Sequence, residues 1–362
     1  MYGSNGQVGT HNQALVNGPG IVVGRKGTAG EVVWSETDFF PIDTTYYVET
    51  NQEKYSLRWL YYLLKDANLG MLQASTGVPG LSRADAYKLK IPVPEKHEQK
   101  RIASTLDNVD QAITATQASI DSAQKLKQAL MQNLLTGKLK PDGTWRQEDE
   151  FDSHPKFGWA PKGWLIKTIK DVFDVNENTL GASTAPDFGF RYIELELVDT
   201  QVIDYEAAKR YLFSDSPGRA RRQLKDGDFL FSTVRPNLLG FAKFNNPDPA
   251  ESWVGSTGFA VARPRECEDG DFYFYQMLSE IGQRQLHALV TGSNYPAIND
   301  AQFSKLRVLS PPYAEQQEIA KILVGIDKSI VELRRQKLIK LQLLKKALMQ
   351  NLITGKVRIP PE

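Results

Sequence analysis

This chain contains two long stripes of apolar residues, spaced largely at steps of three and four. Such spacing places the apolar side chains on one face of an α-helix. We therefore predict long helices over about residues 95–135 and 314–353, each about 60 Å long at 1.5 Å per residue. The stripes consist of Ile102, Leu106, Val109, Ile113, Ile120, Leu126, Leu130 and Leu134, and of Ile319, Ile322, Ile326, Ile330, Leu333, Leu341, Leu344, Leu348 and Leu352.

Start and stop signals flank both helices. Prolines precede them at 92 and 94 and at 311 and 312, and Thr-Gly follows them at 136–137 and 354–355. Helices of this length need a surface to lie against. A narrow seam of near-heptad spacing is buried best in a two-stranded coiled coil, so each helix is predicted to pair with the other.

The chain also contains an internal repeat. Residues 127–140 return as residues 345–358, and Glu98-Gln99 returns as Glu315-Gln316 at a shift of 217 positions. Weaker similarity relates residues 43–48 to 256–261, and Arg25 with Gly30 to Arg235 with Gly240. The pattern predicts two copies of one unit, in which a shared frame holds two diverged modules with different targets.

The modules alternate short β-type runs with loops and helical patches, which predicts a mixed α/β (α+β) fold. The predicted order is a first module, a long helix, a polar linker, a second module and a second long helix, at residues 1–94, 95–138, 139–156, 157–312 and 313–358. About 55 residues of the repeated unit have no counterpart in the first copy. We expect that the first module is N-terminally truncated and that Met1 is an internal methionine; a shorter subtype is the alternative.

Composition narrows the class of protein. With 41% hydrophobic and 24% charged residues and no apolar run long enough to span a bilayer, the chain reads as a globular protein without a membrane segment. The only cysteine, Cys267, cannot form an internal disulfide, so the cytoplasm is the expected location. Forty-four basic and 43 acidic residues leave a formal charge of +1, so any affinity for DNA must come from local patches or from partners.

Several polar loops carry residue types that contact DNA. Small glycines in the loop 24–30 would let the backbone approach a duplex, and arginine and asparagine can each form paired hydrogen bonds with a base. Solvated surface loops are the alternative at each position. The candidates are Arg25, Lys26, Thr28, Arg221, Arg222, Ser232, Thr233, Arg235, Asn237, Ser293 and Asn294.

Signals for catalysis are weak. The four histidines and Cys267 share no metal-ligand spacing, and no catalytic residues or bound metal are predicted. Ser310-Pro-Pro-Tyr313 matches the motif with which amino-methyltransferases hold a flipped base. Because the first copy lacks it and no glycine-rich nucleotide loop follows a strand, a self-contained methyltransferase is only an alternative.

Taken together, the segments Pro92–Ile102, Leu130–Lys138, Phe157–Val172, Pro311–Ile319 and Leu348–Lys356 resemble the specificity subunit of Type I restriction-modification systems. The resemblance implies a non-catalytic chain that reads a bipartite site in double-stranded DNA. Its two helices would pack as an antiparallel coiled coil that sets the gap between the half-sites. A truncated, silent or half specificity cassette is a further alternative.

The resemblance also implies partners. Methyltransferase subunits carrying S-adenosylmethionine and restriction subunits using ATP and Mg would join this chain, which holds no cofactor itself. The residues expected in the helix seam or against partners are Ile102, Leu106, Ile113, Leu130, Leu134, Ile319, Ile326, Ile330, Leu344 and Leu348.

Overall fold

The computed structural model describes residues 1–72, 80–155, 157–290 and 296–359. The chain forms two compact units. Unit 1 comprises Met1–Asp121 and Val331–Glu362, and unit 2 comprises Ser122–Ile330. Each unit therefore contains one module together with segments of both long helices.

In unit 1 a three-stranded antiparallel sheet of order β4-β3-β5 packs with the helix α1 against the long helices. The strands are β1 (Tyr2–Gly3), β2 (Gly6–Gln7), β3 (Gly20–Gly24), β4 (Val32–Ser35) and β5 (Thr45–Tyr47). The helices are α1 (Leu57–Asp66), a 3-10 turn (Leu69–Leu72), α2 (Arg83–Ala86) and the first long helix α3 (Lys96–Leu134), whose residues beyond Asp121 belong to unit 2. The core joins apolar side chains of all these layers, among them Ile21, Trp59, Tyr62, Ile102, Leu106 and Leu352.

Unit 2 holds two four-stranded sheets, of order β16-β15-β18-β9 and β13-β10-β17-β14, in which the β10–β17 pair is parallel. Its strands are β6 (Phe151–His154), β7 (Gly158–Pro161), β8 (Leu165–Thr168), β9 (Phe173–Val175), β10 (Gly189–Ile193), β11 (Val198–Asp199), β12 (Val202–Ile203), β13 (Lys209–Leu212), β14 (Ala220–Leu224), β15 (Phe229–Ser232), β16 (Phe241–Lys243), β17 (Trp253–Ser256), β18 (Phe259–Pro264) and β19 (Arg307–Ser310). Clustered phenylalanines fill the core on one side of β15, including Phe173, Phe229, Phe231, Phe272 and Phe303.

The helices that begin in unit 2 are α4 (Ile169–Val172), α5 (Gly270–Leu278), α6 (Glu280–Val290), α7 (Asp300–Ser304) and α8 (Tyr313–Glu332). The second long helix continues from α8 through a π-helical turn (Leu333–Leu338) into α9 (Ile339–Leu348) and a second π-helical turn (Met349–Ile353). Both long helices thus lie within the predicted ranges. Each is followed by a glycine with positive φ, Gly137 at +69° and Gly355 at +73°, as expected of C-terminal glycine caps.

The π turn at Leu333–Leu338 accounts for a discontinuity in the repeat. Ile102 matches Ile319 at a shift of 217, whereas Lys127 matches Lys345 at a shift of 218, so the second helix contains one extra residue. A π turn accommodates one added residue without ending a helix. The apolar stripe therefore resumes at Leu338, five positions after Leu333.

One series of buried and half-buried positions runs along each long helix at steps of four and three, apart from the step of five at the π turn. They are 102, 106, 109, 113, 116, 120, 123, 127, 130 and 134 in the first helix, and 319, 323, 326, 330, 333, 338, 341, 345, 348 and 352 in the second. Ile102, Leu106, Leu134, Ile319 and Ile330 are buried, and Ile113, Leu130, Ile326 and Leu348 are half-buried.

Leu344 does not belong to this stripe. Its side chain is 47% exposed, as is that of its repeat counterpart Leu126 at 53%. The neighbouring Lys127 and Lys345 occupy the stripe positions instead. The prediction that Leu344 lines the seam is wrong, because an apolar residue one step away on a helix lies about 100° around its axis.

The segment predicted as a linker is structured within unit 2. Leu139 bridges Trp145, and β6 pairs with β7. Arg146 Nη2 lies 2.5 Å from Glu315 Oε1 at the start of the second long helix. The turn-forming composition of residues 139–155 therefore marks folded turns and the first strand of a hairpin.

Backbone hydrogen bonds give the correspondence between the two modules. Arg25 N donates to Thr44 O, and Thr233 N donates to Gly258 O, each next to the central strand of its sheet. Arg25 therefore corresponds to Thr233, and the predicted pairing of Arg25 with Arg235 is wrong by two positions. The predicted pairing rested on the shared residue type and not on backbone position. The loop that follows β15 is also one residue longer than its counterpart.

A buried glutamine attaches each module to its own long helix. Gln99 Oε1 accepts from Ser56 N, the N-cap of α1, at 2.7 Å, and its Nε2 donates to Pro94 O at 2.9 Å. The equivalent Gln316 accepts from Asp269 N, the N-cap of α5, at 2.8 Å. The glutamines are each 1% exposed, so these hydrogen bonds are made away from water. This shared contact explains why the glutamine of the Glu-Gln motif recurs in both copies.

Replacing Gln99 by leucine should destabilise unit 1 by about 2 to 4 kcal/mol, because the amide of Ser56 and the carbonyl of Pro94 would lose their buried partner. Hydrogen exchange of core amides in each unit measures the effect. Gln128→Leu, at an exposed position of the same helix, is the matched control and should change stability by no more than about 0.5 kcal/mol. Equal protection in both variants would contradict the assignment.

Candidate nucleic-acid interface

The loop after the central strand occupies the same place in both modules. In unit 1 it follows β3, and Arg25, Lys26 and Thr28 are all exposed. The Arg25 guanidinium lies 5.6 Å from the centre of the Tyr46 ring. A Cβ on Gly24 would come within 2.2 Å of Thr28 O, so the tight turn requires glycine at this position. The result is an exposed basic loop on a rigid base.

In unit 2 the equivalent loop contains Arg235 and Asn237, both exposed, and Leu238, which is 63% exposed. Arg235 has φ of 49° and ψ of 52°, in the left-handed region that disfavours a residue with a Cβ. Its topological counterpart, Gly27, has φ of +74° and no Cβ. An exposed arginine in this conformation is a departure from local preference, of the kind that is common at binding sites.

A second segment pairs with each of these loops, at Gly80 in unit 1 and at Pro296 and Ala297 in unit 2. Lys26 bridges Gly80 in unit 1, and Val234 bridges Ala297 in unit 2. Arg235 N also donates to Pro296 O at 2.7 Å. Ser293 and Asn294 lie outside the described residues.

A third segment joins the surface in unit 2. Thr257 N donates to Arg219 O, and Thr233 N donates to Gly258 O, each at 2.8 Å. Arg219 and Thr257 are both exposed. Backbone pairing thus connects these side chains to the Arg235 loop, and nothing in the sequence distinguished Thr257 from other loop residues.

Two predicted DNA contacts are buried. Ser232 is 7% exposed and its Oγ donates to Val234 O at 2.6 Å. Thr233 is 5% exposed and its Oγ1 donates to Gly258 O at 2.8 Å. Both hydroxyls stabilise the base of the loop and are not presented to a ligand, so these two predictions are wrong.

Arg221 and Arg222 are engaged within unit 2. Arg221 Nη1 donates to Ala220 O at 2.7 Å. Arg222 Nη2 forms an ion pair of 2.8 Å with Asp300 Oδ2, and the arginine side chain is only 14% exposed. The Arg221 guanidinium thus bonds within its own segment, and that of Arg222 connects β14 to α7. Arg219 is the exposed arginine of this run.

The Ser310-Pro-Pro-Tyr313 motif connects a strand to a helix. Ser310 is 3% exposed in β19, and its Oγ lies 2.8 Å from the hydroxyl of Tyr273. Pro311 O accepts from Gln316 Nε2 at 2.9 Å. The motif is thus part of the helix entry, and this geometry gives no support to a base-holding role.

Within residues 1–72, 80–155, 157–290 and 296–359, no group of three or more His, Cys, Asp or Glu side chains is placed to hold a metal ion. None of the helices there combines the length and apolarity that spanning a membrane requires.

Arg235→Gly should leave unit 2 as stable as the native chain or stabilise it by up to about 1 kcal/mol, because glycine adopts the left-handed conformation without strain. Hydrogen exchange of the β15 and β18 amides measures this. A clear loss of protection would show that the arginine side chain supports the fold and is not retained for binding.

Comparisons with known proteins agree with this architecture. The sequence-family model described as Type I restriction modification DNA specificity domain matches residues 1–124 and 161–343. The chain is 25% identical to the Type I restriction enzyme MjaVIII specificity subunit of Methanocaldococcus jannaschii, over 97% of this chain and 82% of that protein. It is 26% identical to the putative type I restriction enzyme MjaX specificity subunit of the same organism, over 85% and 70%.

A solved structure shares the fold. The crystal structure of the Type-I restriction-modification system S subunit from M. genitalium superposes with a TM-score of 0.65 at 15% identity, covering 98% of this chain and 87% of that one. At so low an identity the likeness concerns the fold alone.

Proposed function

Because the chain belongs to the Type I restriction modification DNA specificity family, we propose that it is a specificity subunit that reads a bipartite site in double-stranded DNA. The observation that carries this proposal is the exposed loop after the central strand of each module. Arg25 and Lys26 lie on one loop, and Arg235 and Asn237 lie on the other.

The chemistry of these loops suits base reading. An arginine can form two hydrogen bonds with guanine, and an asparagine can do so with adenine. The two loops have the same backbone frame and different side chains. We therefore propose that the modules at 1–94 and 157–312 each read a different half-site, while the exposed Arg219 contacts the phosphate backbone.

We further propose that the long helices pair as an antiparallel coiled coil that acts as a ruler between the half-sites. Within unit 1, Arg358, just beyond the second helix, binds Glu98 near the start of the first. Within unit 2, Arg146, which follows the first helix, binds Glu315 near the start of the second. These contacts and the four-and-three spacing of buried positions support antiparallel pairing. Two half-site readers on a rigid spacer convert weak affinities into one strong, spacing-specific affinity.

The chain would act with partners and would not itself catalyse a reaction. We propose that methyltransferase subunits with S-adenosylmethionine and restriction subunits with ATP and Mg assemble on it in the cytoplasm. A formal charge of +1 fits such an assembly, since partner subunits would then supply many of the phosphate contacts.

Arg235→Ala in the assembled methyltransferase complex should weaken binding about tenfold on the native site, since a good bidentate arginine contact contributes about 1 to 3 kcal/mol. Competition with duplexes substituted one base pair at a time measures which position loses discrimination. Arg284→Ala is the matched control, because Arg284 is exposed on α6 of the same module. An equal loss on all duplexes would contradict base reading by Arg235.

The helix pairing has its own test. Ile120→Asp should disrupt the seam and abolish assembly with the methyltransferase subunits, because Ile120 is 0% exposed. Leu344→Asp, at a side chain that is 47% exposed, should leave assembly within about threefold of the native chain. Co-purification of the subunits measures both. Normal assembly of the Ile120 variant would contradict the paired helices.

A further inference from the structure

A lysine, an aspartate and a tyrosine meet in unit 2 where the second module contacts both long helices. Lys127 Nζ on the first long helix lies 2.6 Å from Asp327 Oδ1 on the second. The hydroxyl of Tyr275, on α5, donates to Asp327 Oδ2 at 2.5 Å. Gln201 also donates to that oxygen, at 2.7 Å. One carboxylate therefore connects the module to both helices.

Unit 1 brings the same three residue types together in a similar arrangement. Lys345 Nζ on the second long helix lies 2.5 Å from Asp110 Oδ1 on the first. The hydroxyl of Tyr62, on α1, lies 2.9 Å from Asp110 Oδ2 and also 2.6 Å from Asp107 Oδ1, one turn earlier on the same helix. The lysine lies over the tyrosine ring in both units, at 5.7 Å in unit 1 and 5.3 Å in unit 2.

The two clusters are repeat counterparts, except that each takes its lysine from the other copy. Asp110 and Asp327 are equivalent, as are Lys127 and Lys345, and each tyrosine lies six residues after the N-cap of its module helix. In each cluster the tyrosine and the aspartate come from one copy and the lysine comes from the other. Each module is thereby tied to the long helix of the opposite copy as well as to its own.

The charges in these clusters are partly removed from water. The exposed fractions of the side chains are 14% for Lys127 and 22% for Asp327, and 25% and 26% for Lys345 and Asp110. Burial raises the pKa of Tyr62 and of Tyr275, so both phenols remain protonated donors at neutral pH. Charges desolvated to this extent are costly unless they are paired, so a shifted helix register would leave each lysine and aspartate without its partner.

We infer that Lys127–Asp327–Tyr275 and Lys345–Asp110–Tyr62 are positioning residues for DNA recognition. They hold each module in one orientation on the paired helices, and thereby restrict the half-site spacing that the subunit accepts. The inference rests on the proposed function. It differs from general stabilisation because it concerns spacing: an apolar seam tolerates small slips that a charged pair does not.

The test uses the chain assembled with its methyltransferase subunits, carrying Lys127→Met or Lys345→Met. Binding is measured on duplexes with the native spacing and with one base pair more or fewer between the half-sites. The native assembly should prefer its own spacing strongly, and each variant should lose that preference by on the order of tenfold. Tyr275→Phe and Tyr62→Phe, which remove a hydroxyl only, should lose it by several-fold and provide the test if a lysine variant does not fold.

Lys125→Met and Lys346→Met are the matched controls, since each removes the same charge at an exposed position near its cluster. Both should keep the native spacing preference. An unchanged preference in all four cluster variants would overturn the inference while leaving the proposed function in place. Absence of any split-site preference in the native assembly would overturn the proposed function, and the inference with it.

Discussion

The structure depends on buried polar contacts that attach the long helices to the modules. Apolar stripes can hold two helices together, but a stripe of similar side chains carries little information about register. Gln99 and Gln316 instead fix where each module sits on the long helix of its own copy, since each is 1% exposed and bonded to the N-cap amide of a module helix. A buried amide without a partner is costly, so each module helix has one favourable position on its long helix.

The contacts between helices and modules are similar in both copies, whereas the exposed loops differ. The helix entries, the glutamines and the glycine caps recur in both copies because they carry the same mechanical role. The loops after β3 and β15 share a hydrogen-bonded base, while their exposed tips hold Arg25 and Lys26 in one module and Arg235 and Asn237 in the other. A rigid scaffold with divergent exposed loops is the arrangement expected of a reader whose target changes without changes in its assembly.

Much of the fold was predictable because long periodic helices and their caps are strong local signals. The details that failed depend on three-dimensional context. Periodicity could not reveal the π turn at Leu333–Leu338. It also could not show that Lys345, and not Leu344, lies in the half-buried stripe. Ser232 and Thr233 were predicted to contact DNA because they carry hydroxyl groups. In the structure both hydroxyls donate to backbone carbonyls instead. Arg221 and Arg222 were likewise chosen for their charge, but Arg221 bonds to the carbonyl of Ala220 and Arg222 pairs with Asp300, far away in the sequence. Arg25, Lys26, Arg235 and Asn237 were chosen from the polar composition of their loops; all four are exposed, and their contact with DNA stays a prediction.

The most direct test of the central claim is to map DNA methylation genome-wide in cells that carry the methyltransferase subunits, with and without this chain. Two different half-site readers held at one spacing should produce methylation of a single motif with two specified halves and an unspecified gap, and only when the chain is present. Methylation that does not depend on the chain, or a chain-dependent motif without a gap, would contradict the account.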